Sequence, residues 1–355
     1  MYYLILFLIL FLYLLIKDKK IYTKVVGIIL VLFAGLRGTF VGPDTFQYQW
    51  IFEDIQRYHD VVFQFFFMSS DSDDQTSEPG YAFFQYVFGL IGDYNLFKFV
   101  CAIIQTVPAI RLIQKYSDNK LVSMIAYFCL PVYTMMSMSM MRQGLAFGIF
   151  LLAYQYILER KLWKYVCCVL LAFLFHTSAL VTLPLYFLYS VPYKKKYNWI
   201  ILLGLAFTFV FSRALYSFFI SFARIQYEMS DSMEGIKMLL FLIVCILSSI
   251  LVNEKKLQRP ENKILLYFMV YTTFLWMIGM NLASVLRLAA YSEFFFCLYI
   301  PNVLGQIPGK SLRRAVQWCT CIVCIIVFQT IVLRPREDAI SNVPYYFFWE
   351  DQPHI

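Results

Sequence analysis

Long apolar runs dominate this sequence, and each run ends at a cluster of Lys and Arg or at a polar turn. The runs have roughly 14 to 20 residues, close to the length that an α-helix needs to cross the hydrocarbon layer of a membrane. Apolar residues make up 61% of the 355 residues, more than a soluble fold can bury. The sequence therefore predicts an all-α, polytopic membrane bundle that forms a single domain over residues 1–355.

We expect about twelve transmembrane helices. They lie near residues 1–16, 21–36, 95–113, 121–137, 141–158, 162–175, 177–191, 198–212, 236–252, 264–280, 282–303 and 315–333. The shortest of these runs need flanking aromatic or basic residues as anchors at the membrane surface, because they barely match the thickness of the hydrocarbon layer.

The distribution of Lys and Arg predicts which loops face the cytoplasm. Of the 30 Lys and Arg residues, 20 lie in the loops at 17–24, 111–120, 159–164, 194–196, 254–263 and 310–314. The positive-inside rule places these loops in the cytoplasm. The N-terminus, the long loop 37–93, the segment 213–235 and the tail 334–355 are then outside. The loop 37–93 agrees with this, since it holds nine acidic residues against two Arg.

Two outer segments are apolar without having the length of a crossing. Residues 81–92 are only twelve residues long, which favours a re-entrant or interfacial helix. Residues 213–235 combine Phe with Arg and Glu, which is typical of an amphipathic helix at the membrane surface or of a simple surface anchor.

Charge and cysteine usage exclude several classes. The net charge of +8 follows from the cytoplasmic loops, and no basic stripe with exposed aromatics indicates a nucleic-acid partner. All nine Cys lie in apolar runs, so we expect no disulfide framework. Cys319, Cys321 and Cys324 are interpreted as packing residues. No acidic or His spacing indicates a metal site, and we expect no cofactor.

Four ionisable residues gather at the outer ends of the predicted spans: Arg37, Arg142, His176 and Arg287. Ionisable groups at such positions are costly to place and are candidates for function. Arg142 and His176 lie 17 residues on either side of Glu159 in a predicted helical hairpin, so they should reach a similar height and meet. The alternatives are a snorkelling anchor for Arg142 and an interfacial hydrogen bond for His176.

The helix around Arg287 carries a polar stripe. Ser284, Arg287 and Tyr291 share one face of an otherwise apolar run, which should face the interior of the bundle. Glu293 is interpreted as a structural partner of another helix. A guanidinium keeps its charge and binds phosphate oxygens with two hydrogen bonds, so outward Arg residues indicate an anionic substrate at the lipid surface.

Four motifs resemble the Wzy-type polysaccharide polymerases, in particular the EpsG branch of bacterial exopolysaccharide and capsule proteins. They are RGTFVGPDTFQY at 37–48, EPGY at 78–81, MRQGLAFGIFLLA at 141–153 and FHTSALVTLPLY at 175–186. The helix that carries Arg287 adds weaker support. Pro43 departs from the Thr that is usual before Asp44 in these proteins. The C-terminal half is similar in hydropathy alone.

The resemblance implies a glycosyltransferase on the outer face of the bacterial cytoplasmic membrane, and the lack of a metal-ligand spacing predicts that it acts without a metal. It would transfer a glycan from a polyprenyl diphosphate to a second lipid-linked repeat unit, with a flippase and a chain-length regulator of the same pathway as possible partners. Arg37, Arg142 and Arg287 would stabilise the leaving diphosphate, and His176 or Asp44 would be the base. Expected substrate contacts are Thr45, Tyr48, Glu78, Tyr81, Gln143, Ser284 and Tyr291.

Other functions fit parts of this pattern. A flippase or transporter of lipid-linked sugars would need a site near the middle of the bilayer, whereas the ionisable residues gather at the outer ends. A glycan ligase or a sugar acyltransferase differs in its acceptor, and the motifs alone separate it from a polymerase. A purely structural protein would gain nothing from ionisable residues inside its spans.

Overall fold

A computed structural model describes residues 1–57, 78–215, 217, 235–279, 283–333 and 342–350. These residues are almost entirely helical and contain no β-strand. The α-helices of the N-terminal part are α1 (Tyr2–Leu15), α2 (Lys19–Gly35), α3 (Thr45–Arg57), α4 (Pro79–Gly89), α5 (Tyr94–Tyr116), α6 (Lys120–Cys129), α7 (Pro131–Thr134), α8 (Met141–Leu158) and α9 (Leu162–Phe175).

The remaining α-helices are shorter on average. They are α10 (Leu185–Leu188), α11 (Asn198–Val210), α12 (Gly235–Leu251), α13 (Glu254–Leu257), α14 (Pro260–Gly279), α15 (Ala283–Glu293), α16 (Phe296–Asn302) and α17 (Lys310–Val327). Short 3₁₀ turns cover Thr177–Thr182, Lys195–Tyr197 and Leu304–Gln306, and π-helical turns cover Met135–Ser139 and Phe328–Val332.

Three helical stretches of the described chain are long and apolar enough to cross a membrane. They are Tyr94–Tyr116, Arg287–Gln306 and Lys310–Val332. A bent pair, Lys120–Cys129 and Pro131–Ser139, passes the same test if its two parts count as one span. The apolar helices are those of a membrane protein, as predicted. The number of twelve crossings and the assignment of loops to the two sides stay predictions.

Proline residues explain two departures from the predicted spans. The predicted span 121–137 bends by 62° between α6 and α7, at Pro131. Proline lacks an N–H group and cannot continue the hydrogen-bond ladder of a helix. The predicted span 177–191 forms a 3₁₀ turn, Thr177–Thr182, and the single helical turn α10 immediately after Pro184.

The predicted outer loop 37–93 contains two helices in its described parts. Helix α3 begins at Thr45, and the eleven-residue α4 occupies the segment that the sequence predicts as re-entrant or interfacial. The middle of this loop lies outside the described residues. So does most of the segment 213–235, of which residues 213–215, 217 and 235 are described and helical.

Close packing between α8 and its neighbours fixes the frame around α3 and α4. A Cβ atom added at Gly148 of α8 would lie 2.2 Å from the carbonyl oxygen of Ile104 in α5. One added at Gly144 would lie 2.1 Å from the carbonyl oxygen of Met136. The two glycines therefore allow α8 to lie against α5 and against the π-helical turn before it.

The C-terminal residues 342–350 lie along the end of α2. Gly38 N donates to Tyr346 O at 2.8 Å and Phe348 N donates to Leu36 O at 3.0 Å, which forms an isolated antiparallel bridge between Arg37 and Phe347. The ring of Tyr345 stacks on Phe33 with a centroid distance of 4.6 Å. The described part of the predicted tail 334–355 is thus packed against the bundle.

Candidate functional site

One carboxylate, Glu78, joins the two residues that the sequence places at the outer end of the α8–α9 hairpin. Its Oε2 lies 3.2 Å from Nη1 of Arg142, and its Oε1 forms a hydrogen bond with Nδ1 of His176. The side chain of Glu78 is only 7% exposed, whereas those of Arg142 and His176 are 32% and 26% exposed. A ligand can therefore reach the guanidinium and the imidazole, while the carboxylate is held behind them.

Three helix ends place this cluster. Arg142 lies in the first turn of α8, His176 is the residue at which α9 ends, and Glu78 precedes α4. The side chain of Glu78 does not cap α4, so both of its oxygens are available for Arg142 and His176. Their equal distances from Glu159 predict that Arg142 and His176 lie close together, and their contacts with one carboxylate agree with this prediction.

A glycine allows α4 to approach α9. A Cβ atom added at Gly80 would lie 2.8 Å from the carbonyl oxygen of Leu174, in the last turn of α9. Gly80 follows Glu78 by two residues, and Leu174 precedes His176 by two. The close backbone contact therefore fixes the distance between the carboxylate and the imidazole, which gives the Gly of the EPGY motif a structural reason.

Tyr48 and Tyr81 form the inner wall of the site. The guanidinium carbon of Arg142 lies 5.8 Å from the ring centre of Tyr48, within the range of a cation–π interaction. The rings of Tyr48 and Tyr81 meet edge to face, with centroids 6.0 Å apart. The sequence predicts that these rings stack on a sugar, which needs a free ring face. Both rings are buried and pack on the protein instead. Burial raises the pKa of the Tyr48 phenol, and Arg142 opposes this shift.

Helix α3 offers two exposed rings that the sequence analysis did not select. Phe46 and Trp50 are 49% and 58% exposed, and their spacing of four residues places them on one face of α3. Because Tyr48 lies between them in the sequence and faces Arg142, α3 carries its exposed rings on another face of the same short helix. Aromatic rings at these positions can stack on sugars or lie at the membrane surface.

The helix that carries Arg287 is joined to the cluster by two hydrogen bonds. Gln143 Nε2 donates to the carbonyl oxygen of Arg287 at 2.7 Å, and the hydroxyls of Tyr291 and Ser178 are 3.0 Å apart. The sequence predicts that Gln143 and Tyr291 contact the substrate. Both are buried in the structure, where they hold α15 in place. The side chain of Arg287 is exposed. The side chain of Ser284 lies outside the described residues.

Arg37 and Thr45 occupy positions that differ from their predicted roles. Arg37 is 1% exposed, and its Nη1 donates to the carbonyl oxygen of Ala34. Thr45 is fully buried, and its hydroxyl lies 2.9 Å from the carbonyl oxygen of Met138. Neither side chain is exposed beside Arg142 in this conformation. The reason is burial, of Arg37 at the end of α2 and of Thr45 at the start of α3, and a pattern of residue types does not reveal it.

Asp44 immediately precedes α3 and is partly buried. Its carbonyl oxygen accepts a hydrogen bond from Tyr48 N at 3.2 Å, in the first turn of α3. The residue therefore lies one helical turn before Tyr48. Within the described residues, no group of three or more His, Cys, Asp and Glu side chains has the arrangement of a metal site.

The chain matches the model of the EpsG family over residues 20–347. It belongs to the EpsG family. The match includes all four motifs and most of the C-terminal half. The sequence analysis relates that half to the family by hydropathy alone. A search of curated proteins and a search of solved structures found no match. EpsG membership supports a polymerase-type role in polysaccharide biosynthesis.

Proposed function

We propose that this EpsG-family protein polymerises oligosaccharide repeat units carried on polyprenyl diphosphate, on the outer face of the bacterial cytoplasmic membrane. The product would be an exopolysaccharide, a capsule or an O-antigen. The observation that carries the proposal is the shared contact of Arg142 and His176 with the carboxylate of Glu78. This cluster combines a guanidinium that a ligand can reach with an imidazole that is held in one orientation.

His176 is the proposed general base. When Nδ1–H donates to Glu78, the imidazole has its other nitrogen, Nε2, free to accept a proton. A carboxylate that holds an imidazole in this way also stabilises the imidazolium after proton transfer. Glu78 therefore acts as a positioning residue and not as a substrate contact. Asp44 remains the alternative base.

The proposed step is a single displacement at a sugar carbon. A hydroxyl of the acceptor repeat unit attacks C1 of the sugar that is bound to the donor diphosphate, and its proton passes to Nε2 of His176. The new glycosidic C–O bond forms while the bond from C1 to the diphosphate oxygen breaks. Polyprenyl diphosphate leaves with the bonding electrons. The growing glycan is now attached to the acceptor, whose own diphosphate link is unchanged.

Fixed positive charge would stabilise the leaving diphosphate. Arg142 is already ordered by Glu78 and by the ring of Tyr48, and Arg287 is exposed on a helix tied to Gln143. Donors that are ordered before the reaction stabilise developing charge without a cost of reorganisation. The exposed rings of Phe46 and Trp50 would stack on sugar units of the glycan.

The location of the cluster favours a polymerase over a flippase of the same lipid-linked sugars. Arg142 lies in the first turn of α8 and His176 at the end of α9. Alternating access uses a site near the middle of the helices. A polymerase and a ligase differ in the acceptor, so the identity of the product has to separate them.

The test uses cells that make the polysaccharide. His176→Ala and Arg142→Ala should leave the protein inserted at normal abundance, abolish long glycan chains and leave single repeat units on the lipid. Lys164→Ala, an exposed residue of α9 on the predicted cytoplasmic side, is the matched control and should make normal chains. Chain length is read on a gel of extracted glycan. Normal chains in both site variants would overturn the proposal.

A further inference from the structure

Two cationic side chains are buried side by side, away from the Glu78 cluster. Arg37 is 1% exposed, and Lys98 of α5 is 0% exposed. Lys98 Nζ donates to the carbonyl oxygen of Arg37 at 2.6 Å. Within the described residues, neither side chain forms an ion pair with a carboxylate. Asp93, at the start of α5, instead accepts hydrogen bonds from the backbone of its own helix.

Such an arrangement is costly. Transfer of a charged side chain from water to a protein interior is unfavourable even after relaxation, unless a counter-charge is present. When two cations lie close together without a carboxylate, their repulsion makes the burial of each one more unfavourable. A pair retained at this cost in a membrane protein is a candidate for binding an anion.

The guanidinium of Arg37 has a preferred edge for such an anion. Its Nη1 is used by the carbonyl oxygen of Ala34, whereas Nε and Nη2 have no hydrogen-bond partner among the described residues. Nε and Nη2 lie on one side of the planar group and donate two parallel hydrogen bonds to an oxyanion such as phosphate. Lys98 Nζ has further N–H groups beyond the one donated to Arg37 O.

The C-terminal residues 342–350 lie over this pair. Phe347 is the bridge partner of Arg37, and partners in an antiparallel bridge extend their side chains to the same face. Tyr345 is held by its stack on Phe33 and by a hydrogen bond of 2.7 Å from its hydroxyl to Phe33 O. Two main-chain hydrogen bonds, the hydroxyl hydrogen bond of Tyr345 and its ring stack join this cover to the end of α2, and Tyr2 OH donates to Asn342 O at 2.8 Å. These contacts can break without unfolding α2.

We infer that Arg37 and Lys98 form a second oxyanion site, which binds a diphosphate when residues 342–350 move aside. The identity of that ligand rests on the proposed function, because polymerisation needs two lipid diphosphates at once. Arg142 would hold the diphosphate that leaves. Arg37 and Lys98 would hold the diphosphate of the acceptor, which stays bound to its sugar.

Titration of the purified full-length protein with inorganic pyrophosphate tests this inference. The wild type should bind two pyrophosphates per chain. Arg37→Gln, Lys98→Met and Arg142→Gln should each bind one, while Lys115→Met, the same substitution at the exposed far end of α5, should bind two. If Arg37→Gln fails to fold, Lys98→Met decides. Two pyrophosphates bound by Lys98→Met, or a single site in the wild type that Arg142→Gln removes, would overturn the inference.

Two further arms identify the ligand and the cover. Polyprenyl diphosphate should displace pyrophosphate from both sites if the ligand is a lipid carrier, and from the Arg142 site alone if the buried site takes free phosphate. Tyr345→Ala should speed association at the buried site only, and equal rates would contradict the role of the cover. The titration measures binding and involves no sugar transfer. Two bound pyrophosphates can therefore be found in a protein that does not polymerise, and a polymerising protein can bind only one.

Discussion

At the scale of residues, Glu78 determines how the site is organised. A buried carboxylate is stable only when its charge is compensated, and here Arg142 supplies the compensation and His176 the second hydrogen bond. Each of the two outer residues is in turn held in one orientation by this carboxylate. The chemistry assigned to Arg142 and His176 therefore depends on a residue that need not touch the substrate.

Replacement of Glu78 by Gln tests this dependence with little change of shape. We expect kcat to fall by roughly 10²- to 10⁴-fold, the range that general acid–base catalysis contributes, because the imidazole loses its orienting carboxylate. KM should change much less. Glu53→Gln, the same substitution on α3, is the control, since Glu53 accepts a hydrogen bond from Gln49 and not from the cluster. A wild-type kcat for Glu78→Gln would contradict the positioning role.

The sequence singles out Glu78, Arg142 and His176, but it does not show their contacts. Glu78 is separated from Arg142 by 64 residues and from His176 by 98, so only the fold reveals that one carboxylate serves both. A single Lys near the end of an apolar run, such as Lys98, is typical of a surface anchor. Its complete burial follows from the packing of α5 against α2, and one sequence does not predict this.

At the scale of helices, the α8–α9 hairpin is the element that could be derived from the sequence. Equal distances from the turn predict that Arg142 and His176 lie at the same height, and the structure agrees. Helix α3 could not be derived in the same way, and for α4 the sequence predicts a short helix at 81–92 but not its start at Pro79 next to Glu78. Both are short, and helices of this length depend on tertiary packing rather than on intrinsic propensity.

The approach of α4 to α9 is tested by Gly80→Ala. The added methyl group would lie 2.8 Å from Leu174 O, so α4 has to move and carry Glu78 away from His176. Overpacking of this kind costs about 1 to 3 kcal/mol, and we expect a lower melting temperature together with a strong loss of polymerisation.

The matched control for this variant is Gly204→Ala in α11. A Cβ atom at Gly204 meets nothing within 4 Å, so this variant should keep the melting temperature and the activity of the wild type. Full activity of Gly80→Ala would show that the close contact does not set the geometry of the site.

At the scale of the whole molecule, the family and the helical membrane architecture agree with the sequence analysis. The number of crossings is harder to derive, because hydropathy does not report where Pro131 and Pro184 interrupt an apolar run. Apolar helices such as Tyr2–Leu15 and Leu162–Phe175 are also shorter than a full crossing. Their position in a bilayer depends on neighbouring helices and on anchors at the membrane surface.

Reporter fusions test the predicted sidedness, on which the outward location of the site depends. A fusion at residue 60 should report an outer location, and fusions at residues 160 and 195 should report the cytoplasm. The physical reason is that the loops at 159–164 and 194–196 carry Lys and Arg, while the loop 37–93 is acidic. Arg142 lies at the start of α8 and residue 160 follows its end. An outer signal at residue 160 would therefore contradict the outward location of Arg142.

Polymerisation by the arginines and His176 is measured directly by the product that the purified protein makes from lipid-linked repeat units in the presence of EDTA. Because guanidinium groups supply the positive charge and His176 the base, we predict a ladder of long glycans in EDTA and none with His176→Ala. Loss of the ladder in EDTA with recovery on addition of Mg²⁺ would contradict the role given to the arginines. Single repeat units under every condition, from a folded wild-type protein, would contradict polymerisation itself.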